Sequence, residues 1–449
     1  MENGIMAKRR TRRQQAILKR RIFLSICAVL LVILIGMIAL AVHTLQKGDK
    51  PSGGKPASSA TESTASKPIP ETTVTVVNTG DIMVHSTQLD GARVAGTGDY
   101  DFSAFFKAAA PYFQAADLAV ANLEVTFGGT ESGKFSGYPA FNTPDSLADV
   151  IKNAGLTFLV TSNNHCYDTG LFGLKRTAQV LKSKGIEFVG TKETPEDPTF
   201  IVKELNNIKI GIANYTYETD GQMAGRKYLN GAIIAQEANA LVNSFSYQHI
   251  EDFYSEADSV IASMKQEGAE YIVFYMHWGN EYQTSPSTWQ KTIAQQLSNR
   301  GVNMIIGGHP HVIQPIEWIH PEGGEGSTVC VYSLGNCISN QRQELMDSCP
   351  SGHTEDAMLF SFTLTKNQNG VALTGLDLIP SWVDKYRGGS GYQYTLYPLE
   401  SPDAAAEKYG LTGTALTKAK KSYDRTKAIV AAGLTECQQA IGCQVTFQQ

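Results

Sequence analysis

Two histidines one residue apart, His309 and His311, follow an apolar run and two glycines in the stretch IIGGHPHVI (305–313). Imidazole nitrogens so placed suit a metal ion, and in an extended segment alternation would put both rings on one face. The chain repeats this arrangement. Other short apolar runs end in Gly80-Asp81, in Asn122-Leu123-Glu124, in Asn163-Asn164-His165, in His277-Trp278-Gly279-Asn280-Glu281 and in Gly335-Asn336. Of nine histidines, four stand just past such an ending, interleaved with Asp, Glu and Asn. Hard oxygen donors mixed with imidazole suit Mn, Fe, Zn or Mg, and a shared carboxylate lets two cations act on one water. Each ending alone reads equally well as a turn or a satisfied core histidine. Six of one kind in a single chain point to one site.

Such residues converge only if the runs before them are strands of an α/β protein, whose ligands gather at strand carboxyl ends. The runs at 72–78, 118–123, 157–162, 186–190, 209–215, 271–276, 303–308 and 328–334 are rich in Val, Ile, Ala and Phe without alternation. Strands buried on both faces have that pattern. Ser287 to Arg300 reads as an amphipathic helix with Trp289, Ile293 and Leu297 on its inner face and Gly301 as the stop. Residues 402–434 read as further helices with a solvated lysine face. The glycines at 388, 389 and 391 lack the strand and helix of a phosphate-cradling loop, and Gly98-Asp99-Tyr100-Asp101 reads as a turn. No G-x-S-x-G occurs, so a serine hydrolase of the α/β-hydrolase type has no support.

The 449 residues are 42% apolar, enough to bury a large core. Residues 1–21 hold eight of the 38 Lys+Arg and one of the 43 Asp+Glu, so the remainder carries a net charge of −12. A body that acidic argues against a nucleic-acid partner held by general phosphate attraction. The basic tail at 1–21 precedes an uncharged apolar run, 22–42, long enough to cross ~30 Å of hydrocarbon. The positive-inside rule keeps the N-terminus in the cytoplasm and places the body outside, with the run as an uncleaved signal anchor in the cell membrane. A cleaved signal peptide is the alternative, since Ala39-Leu40-Ala41 fits a small-x-small cleavage pattern. Residues 43–72 are rich in Ser, Thr, Pro, Gly and Ala and read as a flexible linker. Among the cysteines of the exported part, Cys437 and Cys443 are the pair best placed for a bridge; otherwise all are free, small apolar residues.

The ordered set GDIM, NLE, NNH with Asp168 and Gly170, HWGNEY, GGHPHV and YSLGN resembles the bacterial capsule-synthesis CapA family. That family is associated with poly-γ-glutamate capsules and belongs to the calcineurin-like metallophosphoesterase superfamily. The resemblance covers about residues 74 to 385. It implies a four-layer α/β sandwich over 73–385, preceded by the one transmembrane helix and followed by a helical extension, 386–449, packed on the domain. It also implies two divalent metal ions. By its motifs Asp81 and His311 hold the first, Asn164, His277 and His309 the second, and Glu124 bridges them. His165 is the implied general acid or oxyanion donor, with Asn122, Asn163, Glu281 and Asn336 as substrate-binding residues. The implied partners are the membrane, an anionic capsule polymer and other capsule-synthesis membrane proteins. The implied activity is phosphoesterase-like hydrolysis, with non-hydrolytic binding, export or assembly of the polymer as the alternative. One position departs: the superfamily's first motif reads Asp-x-His, whereas Met83 stands two after Asp81 and His85 two further on.

Overall fold

The computed structural model describes residues 71–447 apart from 222, 224 and 390. The tail, the apolar run and nearly all of the linker therefore lie outside the described residues. Among those described, no helix is long and apolar enough to cross a membrane.

Two mixed sheets form the body. In the first, β1 (Thr72–Ile82), β2 (Leu118–Leu123), β3 (Phe158–Val160) and β4 (Glu187–Val189) run parallel. Beside β1 lie the short parallel β14 (Asn336–Ile338) and the antiparallel β15 (Asp356–Asn367). Then β16 (Gly370–Arg387) and β17 (Tyr392–Pro398) complete eight strands. In the second sheet β6 (Ile208–Tyr217), β10 (Tyr271–His277), β11 (Met304–Gly308) and β13 (Thr328–Val331) run parallel. Antiparallel β5 (Phe200–Leu205) and β12 (Ile316–Ile319) edge it, and β9 (Ser244–Phe245) joins β6. A separate ribbon pairs β7 (Tyr228–Leu229) with β8 (Ala232–Ile233).

Each apolar run expected from the sequence overlaps one of these strands, and all are buried over most of their length except β4, where Glu187 is exposed and Phe188 half-buried. Val74, Val76, Leu118 and Val120 of the first sheet meet Ile210, Ile212, Val273 and Ile306 of the second in a shared core. Each such side chain contributes about 1.5–3 kcal/mol by leaving water. The outer face of the first sheet is covered by α1 (Ser86–Ala92), α2 (Ala110–Gln114), α3 (Ser146–Asn153) and α4 (Gly170–Lys184). That of the second is covered by α5 (Ile250–Gln266) and α6 (Thr288–Asn299). Helix, sheet, sheet and helix thus make four layers. After them come α7 (Pro402–Tyr409) and α8 (Gly413–Ile441), which feeds Val430, Leu434 and Cys437 into the core between the sheets.

Three details differ from the sequence reading. Regular sheet does not stop at residue 385: β16 runs through it and β17 follows, so helix begins only at Pro402. Cys437 and Cys443 are not bridged, because Cys437 faces the inter-sheet core whereas Cys443 lies past Gly442, the left-handed cap of α8. In α6 Ile293 and Leu297 are buried, but Trp289 stays 42% exposed and packs on Tyr247 with ring centroids 5.4 Å apart.

Candidate metal centre

The parallel strands of both sheets end on the same side of the molecule, and tight contacts bring those ends together. Asp81 lies in register with Asn122 of β2 and Asn336 of β14. Gly80 permits this: a Cβ there would sit 1.8 Å from the carbonyl oxygen of Gly335. Across the sheets, Asn214 of β6 accepts from the backbone N–H of Thr161 and Ser162 (3.1 and 2.6 Å) and donates to the Tyr275 carbonyl. Tyr275 in turn donates its hydroxyl to Asn78 at 2.6 Å. Gly308, at the end of β11, makes room for the Asp81 carboxylate, which a Cβ would meet at 2.8 Å.

Asp81, Glu124, His277, His309 and His311 converge there, all buried. Two clusters of possible ligand atoms form, Asp81 with Glu124 and His277, and Glu124 with His309 and His311, each with its atoms within 4.8 Å of one another. Glu124 belongs to both, as a bridging carboxylate must. Its Oε1 has no hydrogen-bond partner and lies 3.5 Å from His277 Nε2 and 3.7 Å from His311 Nε2. His309 Nδ1 is likewise buried and unpartnered. An orphaned carboxylate oxygen and an orphaned imidazole nitrogen on residues of one buried cluster are costly in a metal-free interior and are the donors a divalent cation satisfies. The residues present therefore fit the group.

The family's motifs set His309 with His277 and His311 with Asp81, and these are neighbours here: His311 Nδ1 lies 3.2 Å from Asp81 Oδ2, and the His277 and His309 rings are 4.9 Å apart. His309 and His311 are not extended but have φ of 92° and 55°, a left-handed turn that sets their rings side by side, centroids 5.9 Å apart. Two non-glycine residues in that region store strain, as binding sites often do. Asn164 joins His277 as expected, its Oδ1 2.8 Å from Nε2.

The electrostatics follow from this packing. Burial would raise the Asp81 carboxyl, but the hydrogen bond and charge of His311, then His277 and Asn122, hold it below the usual carboxylate range. Burial opposes charge on His311 too, yet Glu124 and Asp81 outweigh it and push the ring up to about 9. His309, buried and facing His277, His311 and His165, is pushed well below the ordinary histidine value. His311 thus keeps its proton between the carboxylates, whereas His309 gives its proton up.

His165 stands apart from both clusters. Its Nδ1 is 2.8 Å from Asp168 Oδ2, which also accepts from the Phe141 backbone N–H at 2.7 Å. Burial lowers its affinity for a proton, but the hydrogen bond and charge of Asp168, then Glu124, outweigh that and raise it. Phe141 packs edge-on against the ring at 4.8 Å and the exposed Tyr138 at 6.4 Å.

Three of the four residues expected to bind substrate are buried and occupied. Asn122 Nδ2 bridges Asp81 Oδ1 (2.8 Å) and Glu124 Oε2 (3.1 Å). Asn163 donates to Asn122 Oδ1 and the Leu123 carbonyl and accepts from the His165 N–H. Asn336 Oδ1 lies 3.1 Å from His311 Nδ1. They hold the ligands in place, and only Glu281 is exposed. Met83 is in the apolar core below α1. His85 does not replace the absent histidine: it belongs to neither cluster, and its Nδ1 lies 3.2 Å from the Asn340 N–H and 3.3 Å from Gln88 Oε1. Sequence reasoning passed over Asn214, which stands inside the run KIGIANY and inside β6, not past a strand end. Tyr138 and Phe141 carried no signal.

A family model described as "Bacterial capsule synthesis protein PGA_cap" matches residues 75–341. The chain is 26% identical over 311 residues to a "Capsule biosynthesis protein CapA" of Bacillus anthracis, a match covering 68% of this chain and 67% of that protein. It is 26% identical over 268 residues to a "PGA biosynthesis protein CapA" of Bacillus subtilis (strain 168), covering 59% of this chain and 62% of that protein. Among solved structures, a calcineurin-like phosphoesterase, YfkN, from Bacillus subtilis is similar over 80% of this chain and 96% of its own, at 15% identity and a TM-score of 0.37. A putative 5′-nucleotidase from Staphylococcus aureus matches 69% of this chain and 54% of its own, at 13% identity and a TM-score of 0.41. Both structural likenesses are too loose to assign an activity. The family match spans more than half of the chain, which belongs to the bacterial capsule synthesis PGA_cap family.

Proposed function

We propose that the protein is a membrane-anchored, extracytoplasmic hydrolase of the phosphoester type, dependent on two divalent metal ions and working in capsule biosynthesis. The observation that carries this reading is the unpartnered Oε1 of Glu124, shared by two clusters of buried ligands. Divalent cations held there supply a water acidic enough to attack at neutral pH and positive charge against the developing anion. The chain's own residues do the rest. Asp81, Glu124, His277, His309 and His311, with Asn164, hold the ions, and Asn122 and Asn163 fix the carboxylates and the backbone of His165. With Nδ1 engaged by Asp168, His165 keeps Nε2 for the leaving oxygen, to which it gives a proton. Glu281, exposed beside the site, favours a substrate whose flanking groups are not strongly anionic.

A second reading, non-hydrolytic binding, export or assembly of an anionic capsule polymer alongside other membrane proteins, is favoured by Met83. With an apolar core residue where the superfamily's first motif has a histidine, one ion is held by fewer ligands. Elemental analysis of the full chain in mild detergent, with turnover of bis-p-nitrophenyl phosphate followed on the same sample, separates the two. Hydrolysis predicts two metals per chain, reduced together with turnover in His309→Ala. One metal or fewer, with no turnover after adding Mn or Zn, would leave the binding role.

A further inference from the structure

The long C-terminal helix lies away from the strand ends, yet one of its side chains connects to them. Arg425 of α8 grips Asp356 with two nitrogens, Nε to Oδ2 at 2.7 Å and Nη2 to Oδ1, and Nη2 also donates to the Gly352 carbonyl at 3.1 Å. Asp356 is 1% exposed. A planar guanidinium holding a carboxylate at two points fixes orientation as well as distance. The grip closes a short 3-10 turn, His353–Glu355, between Gly352 and Asp356.

That turn faces the metal centre. Its Thr354 carbonyl accepts from Asn336 Nδ2 at 3.0 Å. Its Glu355 carboxylate takes the buried Arg342 at 2.6 Å and the Gln343 N–H at 2.9 Å. Gln341, next to Arg342, accepts from the same Asn336 Nδ2 at 2.9 Å. The Asn336 amide is thus clamped from both sides, which leaves its Oδ1 directed at His311 Nδ1, 3.1 Å away. A hydrogen bond to one imidazole nitrogen sets which nitrogen carries the proton and which offers a lone pair. Here it commits Nδ1 to Asn336 and Asp81 and turns Nε2 toward Glu124.

We infer that Arg425 is a positioning residue for the metal centre: through the 352–356 turn and Asn336 it fixes the His311 ring, so that the C-terminal helix sets the affinity of the ion His311 holds. The inference rests on the metal reading above. It also goes beyond the family match, since the matched residues end at 341, before Arg342, Glu355, Asp356 and Arg425.

The test is Mn²⁺ titration by calorimetry on the full chain in mild detergent, for wild type, Arg425→Ala, Arg425→Lys and Lys420→Ala, with thermal unfolding recorded on each. Lys420 is the control, because its side chain is on the same helix but 49% exposed and, among the described residues, pairs with the exposed Asp403. Arg425→Ala should weaken one of two ions by about 10–100-fold, the range seen when a residue orienting a ligand is removed. Arg425→Lys, which keeps the charge and loses the two-point grip, should fall between, and it keeps the question answerable if the alanine variant does not fold. Lys420→Ala should match wild type. If folded Arg425 variants bind both ions as wild type does, whatever their melting temperature, the inference is overturned and the metal reading stands. If wild type itself binds no ion, both fall.

Discussion

The two sheets contribute different chemistry to the centre. The first supplies carboxylates and amides: Asp81 closes β1, Glu124 follows β2, and Asn163, Asn164 and His165 follow β3. The second supplies imidazole to the ligand clusters, with His277 closing β10 and His309 and His311 just after β11. Neither half is a site alone. Without the histidines, Asp81 and Glu124 are two buried carboxylates with little to neutralise them; without the carboxylates, His277 and the turn of His309 and His311 are imidazoles with no anionic partner. Since each cluster draws on both sheets, occupancy by a cation and docking of the sheets are one equilibrium, and an ion bound there stabilises the fold by mass action.

Removing what both clusters share should have the largest effect. Glu124→Gln takes one ligand from each, and metal analysis should find both ions reduced, with turnover down by about 10³-fold or more, equivalent to several kcal/mol of electrostatic stabilisation. A variant retaining both ions at wild-type turnover would break the idea of a shared bridge. Next comes His165→Ala, a first-sheet residue outside the clusters. It should keep its metal content and lose about 10²–10⁴-fold in turnover, the usual contribution of a general acid. Loss of metal instead would place His165 among the ligands and blur the division between the sheets.

Much of that division was legible in the sequence, for a physical reason. Parallel strands buried on both faces must be continuous apolar runs, so their ends stand out, and the sequence alone places Asp81, Glu124, His277 and His309 at a common edge. The roles of Asn122, Asn163 and Asn336 were not legible, because residue type says that an amide is present but not whether it faces solvent or a neighbouring ligand. The paired turn at His309 and His311 was hidden too, since positive φ at non-glycine residues is imposed by surroundings far apart in sequence, here Asp81 through the His309 N–H at 3.2 Å. The antiparallel β15, β16 and β17 escaped notice for a different reason. β16 alternates buried and exposed along part of its length and is fully buried along another, so no single period marks it.

The coupling of ion to sheet docking predicts a smaller, global effect. At a free ion concentration a hundredfold above its dissociation constant, the body should gain about 2.7 kcal/mol per ion over the chelated protein, read as a higher midpoint in denaturant with Mn than with EDTA. An unchanged midpoint would mean that the sheets dock without regard to the centre. Asn214→Ala attacks the same joint from the protein side. It strips the acceptor from the Thr161 and Ser162 N–H groups where β6 meets the end of β3, at a cost of about 1–3 kcal/mol for buried donors left unpaired. The loss should appear in metal-free protein as well, because these bonds form between the sheets and not with the ion.

The smallest effect belongs to Trp289, and it sharpens the comparison by lying outside it. It occupies a helical position in phase with Ile293 and Leu297, yet stays 42% exposed at the start of α6 and touches Tyr247 rather than the core below. Its contribution should therefore be that of one exposed aromatic contact, about 0.5–1.5 kcal/mol. Ser287 caps α6 independently, accepting from the Gln290 N–H while the Gln290 side chain returns to the Ser287 backbone, so the helix keeps its start without the indole. Trp289→Ala should lower the denaturation midpoint only slightly and leave metal content unchanged. A loss comparable to that of Asn214→Ala would show that the outer helix layer, and not only the joint between the sheets, holds the second sheet's histidines in place.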